Sequence, residues 1–292
     1  MNNTALLRKV SSIQMTSGAD LGANLNQAEL LIQSAVSRGA QLLVLPENFA
    51  YLGCKEIQNI AEIEKSIGPA RKFLAEQANK HKVWIVGGTI PVKEPSLSGL
   101  NGSSLVYASC FVVDNRGVEV SCYQKMHLFD AQIDDAQGSY CESSEYSPGS
   151  SPVVVDTSVG RVGIAVCYDL RFPELFRYIV DQGAEIIVIP SAFTANTGKA
   201  HWSLLLRARA VENLVYVVGA NMGDREHPNR PTWGGSAIID PWGRIVSELE
   251  GGPGVAVAEI DLSYLRDLRN KLPMHKHRQF SVAKPLLSAE SS

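Results

Sequence analysis

Glu47, Lys125 and Cys167 lie far apart in the chain, yet they are the side-chain types that acyl transfer through sulfur requires. A thiol attacks a carbonyl carbon, a carboxylate takes and returns the proton, and an ammonium meets the charge that develops on oxygen. Each falls where a strand would end. Cys167 closes the apolar run Val162 to Val166, and Pro173 beyond it suits the first turn of a helix continuing through Leu175, Phe176 and Ile179. A strand turning at once into a helix would put the thiol near a helix N-terminus, where the dipole lowers its pKa and free N–H groups can hold an oxyanion. Glu47 follows Gln41-Leu-Leu-Val-Leu-Pro46, a strand whose lack of alternation predicts burial on both faces. Its position, the C-terminal end of a core strand, is where open α/β sheets build their sites. Taken singly, each residue has a plainer reading. The cysteine is a small core residue, the glutamate a solvated loop acid and the lysine a surface charge.

The elements that must position these groups alternate. Val10 to Met15 reads as a strand, Asn24 to Ser37 as a helix closed by Gly39, and Gly68 to His81 as an amphipathic helix. Val83 to Ile90 reads as one core strand, followed by a Pro/Gly/Ser-rich turn from Pro91 to Ser104. Leu105 to Val113 and Gly117 to Lys125 form a hairpin around Asp114-Asn-Arg-Gly117, and this hairpin delivers Lys125. Asp130 to Ser151 is polar, too long for a plain turn, and a candidate active-site loop that carries Glu142. Val153 to Asp156 pairs with the strand leading to Cys167, and Glu185 to Pro190 is a third core strand, ending at Ser191. A helix from about Ala200 to Glu212, strands over Val215 to Ala220 and Val255 to Ile260, and a hairpin around Asp240-Pro-Trp-Gly243 precede a last short helix, Leu262 to Leu272. Alternation of this kind with an inserted hairpin predicts an α/β fold with a mixed sheet.

With 292 residues, 45% of them hydrophobic, the chain can bury a large core, and no linker divides it. A net charge of −3 without a basic stripe recommends neither nucleic acid nor an anionic membrane as partner. No run is apolar and long enough for a secretory signal or a membrane span, so a soluble cytoplasmic protein is expected. The five cysteines are scattered with no CxxC pair, which argues against a disulfide framework or a structural zinc. His275 and His277 lack further ligands at metal spacing and read as part of a basic tail motif. No metal and no cofactor are expected.

Longer motifs surround the three reactive groups: Leu45-Pro-Glu-Asn-Phe49, Tyr123-Gln-Lys-Met-His-Leu-Phe-Asp130 and Cys167-Tyr-Asp-Leu-Arg-Phe-Pro-Glu174. Ser191-Ala-Phe193, Thr197-Gly-Lys-Ala-His-Trp202 and Asp240-Pro-Trp-Gly243 extend the pattern. By these the chain resembles the nitrilase superfamily of carbon–nitrogen hydrolases, and within it the branch of deaminated glutathione amidases. The resemblance runs over one domain, about residues 8 to 280, with a poorly anchored tail from 281 to 292. It implies a four-layer α-β-β-α sandwich of two mixed sheets, pairing into homodimers through the helix after the cysteine. One departure is the loop Ala131 to Ser139, which lacks the Pro-Gly that many relatives carry.

The resemblance also implies roles. Cys167 is the nucleophile, Glu47 the proton carrier, Lys125 the oxyanion partner together with the backbone N–H of Tyr168, and Glu142 the second glutamate that orients Lys125. Arg171, four residues past the nucleophile, is the candidate for a substrate carboxylate, with Phe193 and Thr197 lining the same pocket; a surface or dimer-interface arginine is the plainer reading of Arg171. The substrate implied is deaminated glutathione, cleaved to 2-oxoglutarate and cysteinylglycine. An ω-amidase acting on 2-oxoglutaramate or an N-carbamoyl amidohydrolase would use the same triad, and a catalytically silent interaction scaffold is the reading from another class. A true nitrilase is disfavoured by Val-Cys-Tyr-Asp where that branch carries Cys-Trp-Glu. An isochorismatase-like fold is disfavoured by chain length and by Glu47, and a phosphatase cradle by the spacing of Cys167 and Arg171.

Overall fold

Apolar runs with no polar alternation must be covered on both faces, and in this chain such runs form the two middle layers. A computed structural model describes residues 7–95, 104–133, 137–227 and 230–281. The first sheet contains β1 (Leu7–Gln14), β2 (Leu42–Leu45), β3 (Trp84–Gly87), β4 (Ile90–Pro95), β5 (Ser104–Val113), β6 (Glu119–Gln124) and β15 (Gly254–Asp261). Its order is β15-β1-β2-β3-β5-β4, with β6 also paired to β5; β1, β2 and β3 run parallel. Between β6 and the second sheet, β7 (Asp130–Gln132) and β8 (Ser139–Cys141) pair as a small separate hairpin. The second sheet is ordered β14 (Ile245–Glu248), β13 (Ala237–Ile239), β12 (Tyr216–Asn221), β11 (Ile186–Ser191), β10 (Gly160–Ile164), β9 (Val153–Thr157), with β10, β11 and β12 parallel.

The alternation of strand side chains assembles the layers. In β2, Leu42 and Val44 face the second sheet and share a core with Ile187 and Val217, while Leu43 and Leu45 face outward. There they meet α1 (Leu21–Ser37) through Ala28 and Ile32, and α3 (Pro69–His81) through Leu74 and Ala78. On the far side, α4 (Pro173–Asp181) and α5 (Ala195–Asn213) cover the second sheet with Phe176, Ile179, Trp202 and Leu206. The result is the four-layer α-β-β-α sandwich. The two sheets are also tied by polar groups: the Ser12 hydroxyl donates to Gly219 O at 2.6 Å, and Gln14 Oε1 accepts from Ser236 N–H at 2.9 Å.

Local chemistry starts and stops the helices. Asp20 caps α1 by accepting from Ala23 N–H, Pro69 opens α3, and Lys82 closes α3 in a left-handed conformation. Thr194 caps α5 through Thr197 N–H, and Asp261 caps α6 (Leu262–Lys271) through Ser263 and Tyr264 N–H.

Several sequence expectations change. The run from Val83 to Ile90 is broken at Gly88, whose φ of +59° bends the chain, so that β3 and β4 are separate strands alongside β5. The expected turn from Pro91 therefore begins as extended strand, and residues 96–103 lie outside the described residues. A helix α2 (Ile57–Lys65) packs Ile57 and Ala61 against Val106, in a stretch where the sequence reading assigned no element. The strand before Cys167 does not turn at once into a long helix; a five-residue 3-10 turn, Cys167–Arg171, comes first. Residues 282–292, to which nearly all of the expected tail belongs, are outside the described residues.

Candidate functional site

Glu47, Cys167 and Ala192 follow the C-terminal ends of β2, β10 and β11, so the parallel cores of both sheets aim at one place. Lys125 arrives from the side, at the end of β6. Its ammonium lies 2.7 Å from Glu47 Oε1 and 2.9 and 2.8 Å from the two oxygens of Glu142. The other Glu47 oxygen accepts from Ala192 N–H at 2.9 Å, and the negative charge of the carboxylate acts on the Cys167 thiol. Glu142 is fixed in turn by Phe129 N–H at 2.6 Å. All four groups line one cavity of about 620 Å³, with Tyr168, Arg171, Phe193 and Thr197 on its walls.

Each of these side chains is held by its own local structure. Glu47 precedes Asn48, which has φ +56° and is pinned by Thr89: Asn48 N–H donates to Thr89 Oγ1 at 2.9 Å. Gly88 lets this corner close, because a Cβ there would lie 2.0 Å from Pro46 O. The lysine backbone is gripped by Gly149, whose N–H donates to Lys125 O at 2.8 Å and whose missing Cβ would sit 2.2 Å from Gln124 O. Cys167 has φ +48°, a left-handed conformation that a non-glycine residue holds only where its surroundings over-determine it.

The group that over-determines it is Asp169, which is completely buried. Its Oδ2 accepts from Val166 N–H at 2.8 Å and from the Tyr123 hydroxyl at 2.7 Å. Its Oδ1 lies 2.6 Å from His127 Nδ1 and accepts from His127 N–H at 3.1 Å. The His127 ring stacks on Phe172 with centroids 3.7 Å apart. Asp169 thus joins the turn of Cys167 to the segment of Lys125. Although it stands within the Cys167-Tyr-Asp motif, nothing in the sequence separates it from the short acid of an ordinary turn.

The electrostatics correct one expectation. Burial, and then the negative charge of Glu47, push the Cys167 thiol well above its ordinary pKa, against the opposing pull of Lys125. The short 3-10 turn does not supply the thiolate-favouring dipole foreseen from sequence. For Glu47, burial works upward but the Lys125 ammonium outweighs it, leaving the carboxyl below its ordinary value. Burial works against charge on Lys125 as well, yet Glu142 and Glu47 together raise it well above normal. The resting site is therefore a neutral thiol, an ionised Glu47 and an ammonium.

Arg171 stands in the cavity wall with its guanidinium 5.4 Å from the Phe193 ring centroid and 5.9 Å from that of Tyr168, and its Nη1 lies 3.2 Å from His201 Nδ1. Phe193 packs against Trp202 with centroids 4.9 Å apart, and Thr197 Oγ1 lies 2.8 Å from Thr194 Oγ1. A second arginine, Arg230, also lines the cavity and was not singled out from sequence, since its polar loop carries no motif. Among the described residues no group of three or more His, Cys, Asp or Glu is placed to hold a metal ion, and no helix is long and apolar enough to cross a membrane.

A buried thiol that shares one cavity with a lysine pinned between two acids, in an α-β-β-α sandwich, has the make-up of a thiol hydrolase of carbon–nitrogen bonds. The chain belongs to the carbon-nitrogen hydrolase family, whose profile matches residues 9–270. It is 40% identical over 272 residues to the deaminated glutathione amidase of Synechocystis sp., covering 92% of this chain and 97% of that one. It is 37% identical over 257 residues to the omega-amidase NIT2 of Danio rerio, covering 88% of this chain and 89% of the relative. Among solved structures, Saccharomyces cerevisiae Nit3, a member of branch 10 of the nitrilase superfamily, superposes with a TM-score of 0.82 at 32% identity, over 94% of this chain and 97% of that one.

Proposed function

We propose that the chain is a cysteine-dependent amidase that cleaves deaminated glutathione to 2-oxoglutarate and cysteinylglycine. The observation that carries the reading is the convergence of Glu47, Lys125 and Cys167 on one cavity, with the Lys125 ammonium 2.7 Å from the Glu47 carboxylate. Because the thiol rests protonated, attack requires a base at the sulfur, and Glu47 is the ionised group of the same cavity whose charge acts on it. As sulfur adds to the amide carbonyl, the S–H proton passes to Glu47 and the carbonyl oxygen becomes an oxyanion, received by Lys125 and the backbone N–H of Tyr168. Collapse breaks the C–N bond, and Glu47 gives its proton to the departing amine. Water, deprotonated by Glu47, then adds to the thioester; the acid product leaves and the sulfur regains its proton. Glu142 keeps the lysine aimed by accepting from it with both oxygens.

The acyl part of this substrate ends in a 2-oxo acid, and Arg171 is the cation assigned to it, with Phe193 and Thr197 shaping the pocket. The ω-amidase reading stays as the second one, since it asks for the same acyl end with ammonia as the leaving group. A silent scaffold is disfavoured, because a lysine and a glutamate each about 2% exposed are costly to bury and serve no purpose without chemistry. Assembly as a homodimer and a cytoplasmic location are part of the same proposal.

The test is a panel of deaminated glutathione, 2-oxoglutaramate, an N-carbamoyl amino acid and a nitrile, compared by kcat/KM. The first is expected to lead, and ammonia against dipeptide release separates the two best readings. Cys167→Ala should remove turnover with the circular dichroism spectrum unchanged; an active alanine variant ends the nucleophile assignment. An Arg171→Ala enzyme with unaltered KM for 2-oxo acid amides ends the role given to that arginine.

A further inference from the structure

Among the described residues lining the cavity, Arg230 is a cationic donor that the mechanism above does not use. Arg230 Nε is buried and has no hydrogen-bond partner, while the residue lines the same cavity as Cys167. A buried guanidinium donor without an acceptor is costly, and the ligand that best satisfies it is a carboxylate, which matches its planar fork. The backbone on either side is fixed: Arg230 N–H donates to His227 Nδ1 at 2.9 Å, and Pro231 O accepts from Ala195 N–H at 2.9 Å, at the start of α5. The arginine is thus presented from a held position.

The two arginines hold different parts of the cavity wall. Arg171 sits among Tyr168, Phe193 and His201, whereas Arg230 comes from the loop held by His227 and by the start of α5. With Arg171 assigned to the acyl end of the substrate, Arg230 is the cavity arginine left for a carboxylate on the amine side of the scissile bond. We propose that Arg230 binds a carboxylate carried by the leaving amine, making it a specificity-determining residue for acidic leaving groups such as a short peptide with a free C-terminus. The inference rests on the amidase reading above. It gives each of the two arginines one of the two carboxylates of the proposed substrate.

The experiment compares three amides of the same 2-oxo acid: the cysteinylglycine conjugate, that conjugate with its C-terminus amidated, and 2-oxoglutaramate. Wild-type enzyme is expected to prefer the free acid over its C-terminal amide by about 10- to 100-fold in kcat/KM, the range of a charge-assisted hydrogen-bonded pair. In Arg230→Met that ratio should fall to near one, mainly through KM, while 2-oxoglutaramate loses far less. Arg230→Lys, which keeps charge without the fork, should restore part of the ratio, and thermal unfolding of each variant reports its fold. A preference that survives in Arg230→Met, or an equal loss on all three amides, overturns the inference and leaves the amidase reading standing. A wild-type enzyme that turns over 2-oxoglutaramate but neither peptide overturns this inference together with the dipeptide reading, and one inactive on all three overturns the amidase reading itself.

Discussion

The Tyr123 hydroxyl donates a 2.7 Å hydrogen bond to Asp169, and this bond ties the strand that ends at Lys125 to the turn that begins at Cys167. The carboxylate takes further bonds from Val166 and His127, so one buried acid sets both the left-handed backbone of Cys167 and the approach of Lys125. Asp169→Asn turns an N–H donor toward at least one of these donors. A loss of about 2 to 4 kcal/mol is expected, in the range for damage to a buried charged network. Tyr123→Phe removes one neutral donor and should cost about 1 to 2 kcal/mol. Urea unfolding measures both. A positioning role further predicts a fall in kcat larger than any change in KM, and equal kcat in Asp169→Asn and wild type would contradict it.

The proton inventory of the site predicts a pH profile. With the thiol held above its ordinary value of 9.0 and Glu47 below its ordinary 4.5, the neutral thiol and ionised carboxylate persist between them. The kcat/KM should therefore be flat from about pH 6 to 8, where an ordinary thiol would impose a rising limb. A tenfold rise per unit there would mean that a free thiolate is the attacking species.

The same shifts set limits on stability. Glu47 titrates lower when folded, so its contribution is present above 4.5 and lost as pH falls through its lower folded value. Cys167 and Lys125 titrate higher when folded, so theirs are present below 9.0 and 10.5 respectively and lost as pH rises through the raised values. Thermal midpoints should fall at both ends, with Cys167→Ala blunting the alkaline loss and Glu47→Gln the acid one.

Lys125→Met would leave two carboxylates facing each other in the space the ammonium occupied. Removing one partner of a buried ion cluster typically costs about 3 to 5 kcal/mol, and removing an oxyanion donor about 100- to 1,000-fold in rate. Glu142→Gln keeps the shape and should be much milder on stability. Denaturant midpoints and single-turnover rates on the pair would show whether Lys125 or Glu142 carries the chemistry.

Gly88 offers a test of the corner that holds Glu47. An added Cβ meets Pro46 O at 2.0 Å and adopts a φ of +59°, so Gly88→Ala should destabilise by about 2 kcal/mol or more. Since the clash is with the residue before Glu47, activity should drop further than stability explains. Gly53, also at positive φ but with open space around it, is the control: Gly53→Ala should cost less.

Much of this protein is written locally. The uninterrupted apolar run at Leu42 to Leu45 announces a strand buried on both faces, and Pro69, Pro173 and Asp261 mark helix starts, because these signals depend on neighbours in the chain alone. The motifs around Glu47, Lys125 and Cys167 likewise single out three side chains that the fold brings to one cavity. What they left open was set by contacts between distant segments. Whether the thiol rests protonated depends on burial beside Glu47, from a different sheet, and not on the helix that follows it. The break at Gly88 answers to the carbonyl of Pro46. Asp169 and Arg230 look like ordinary turn and loop residues until the fold surrounds one with donors and leaves the other's Nε without an acceptor at the cavity. Burial and partnership across the chain are not properties of a short stretch of sequence, and only the tertiary structure decides them.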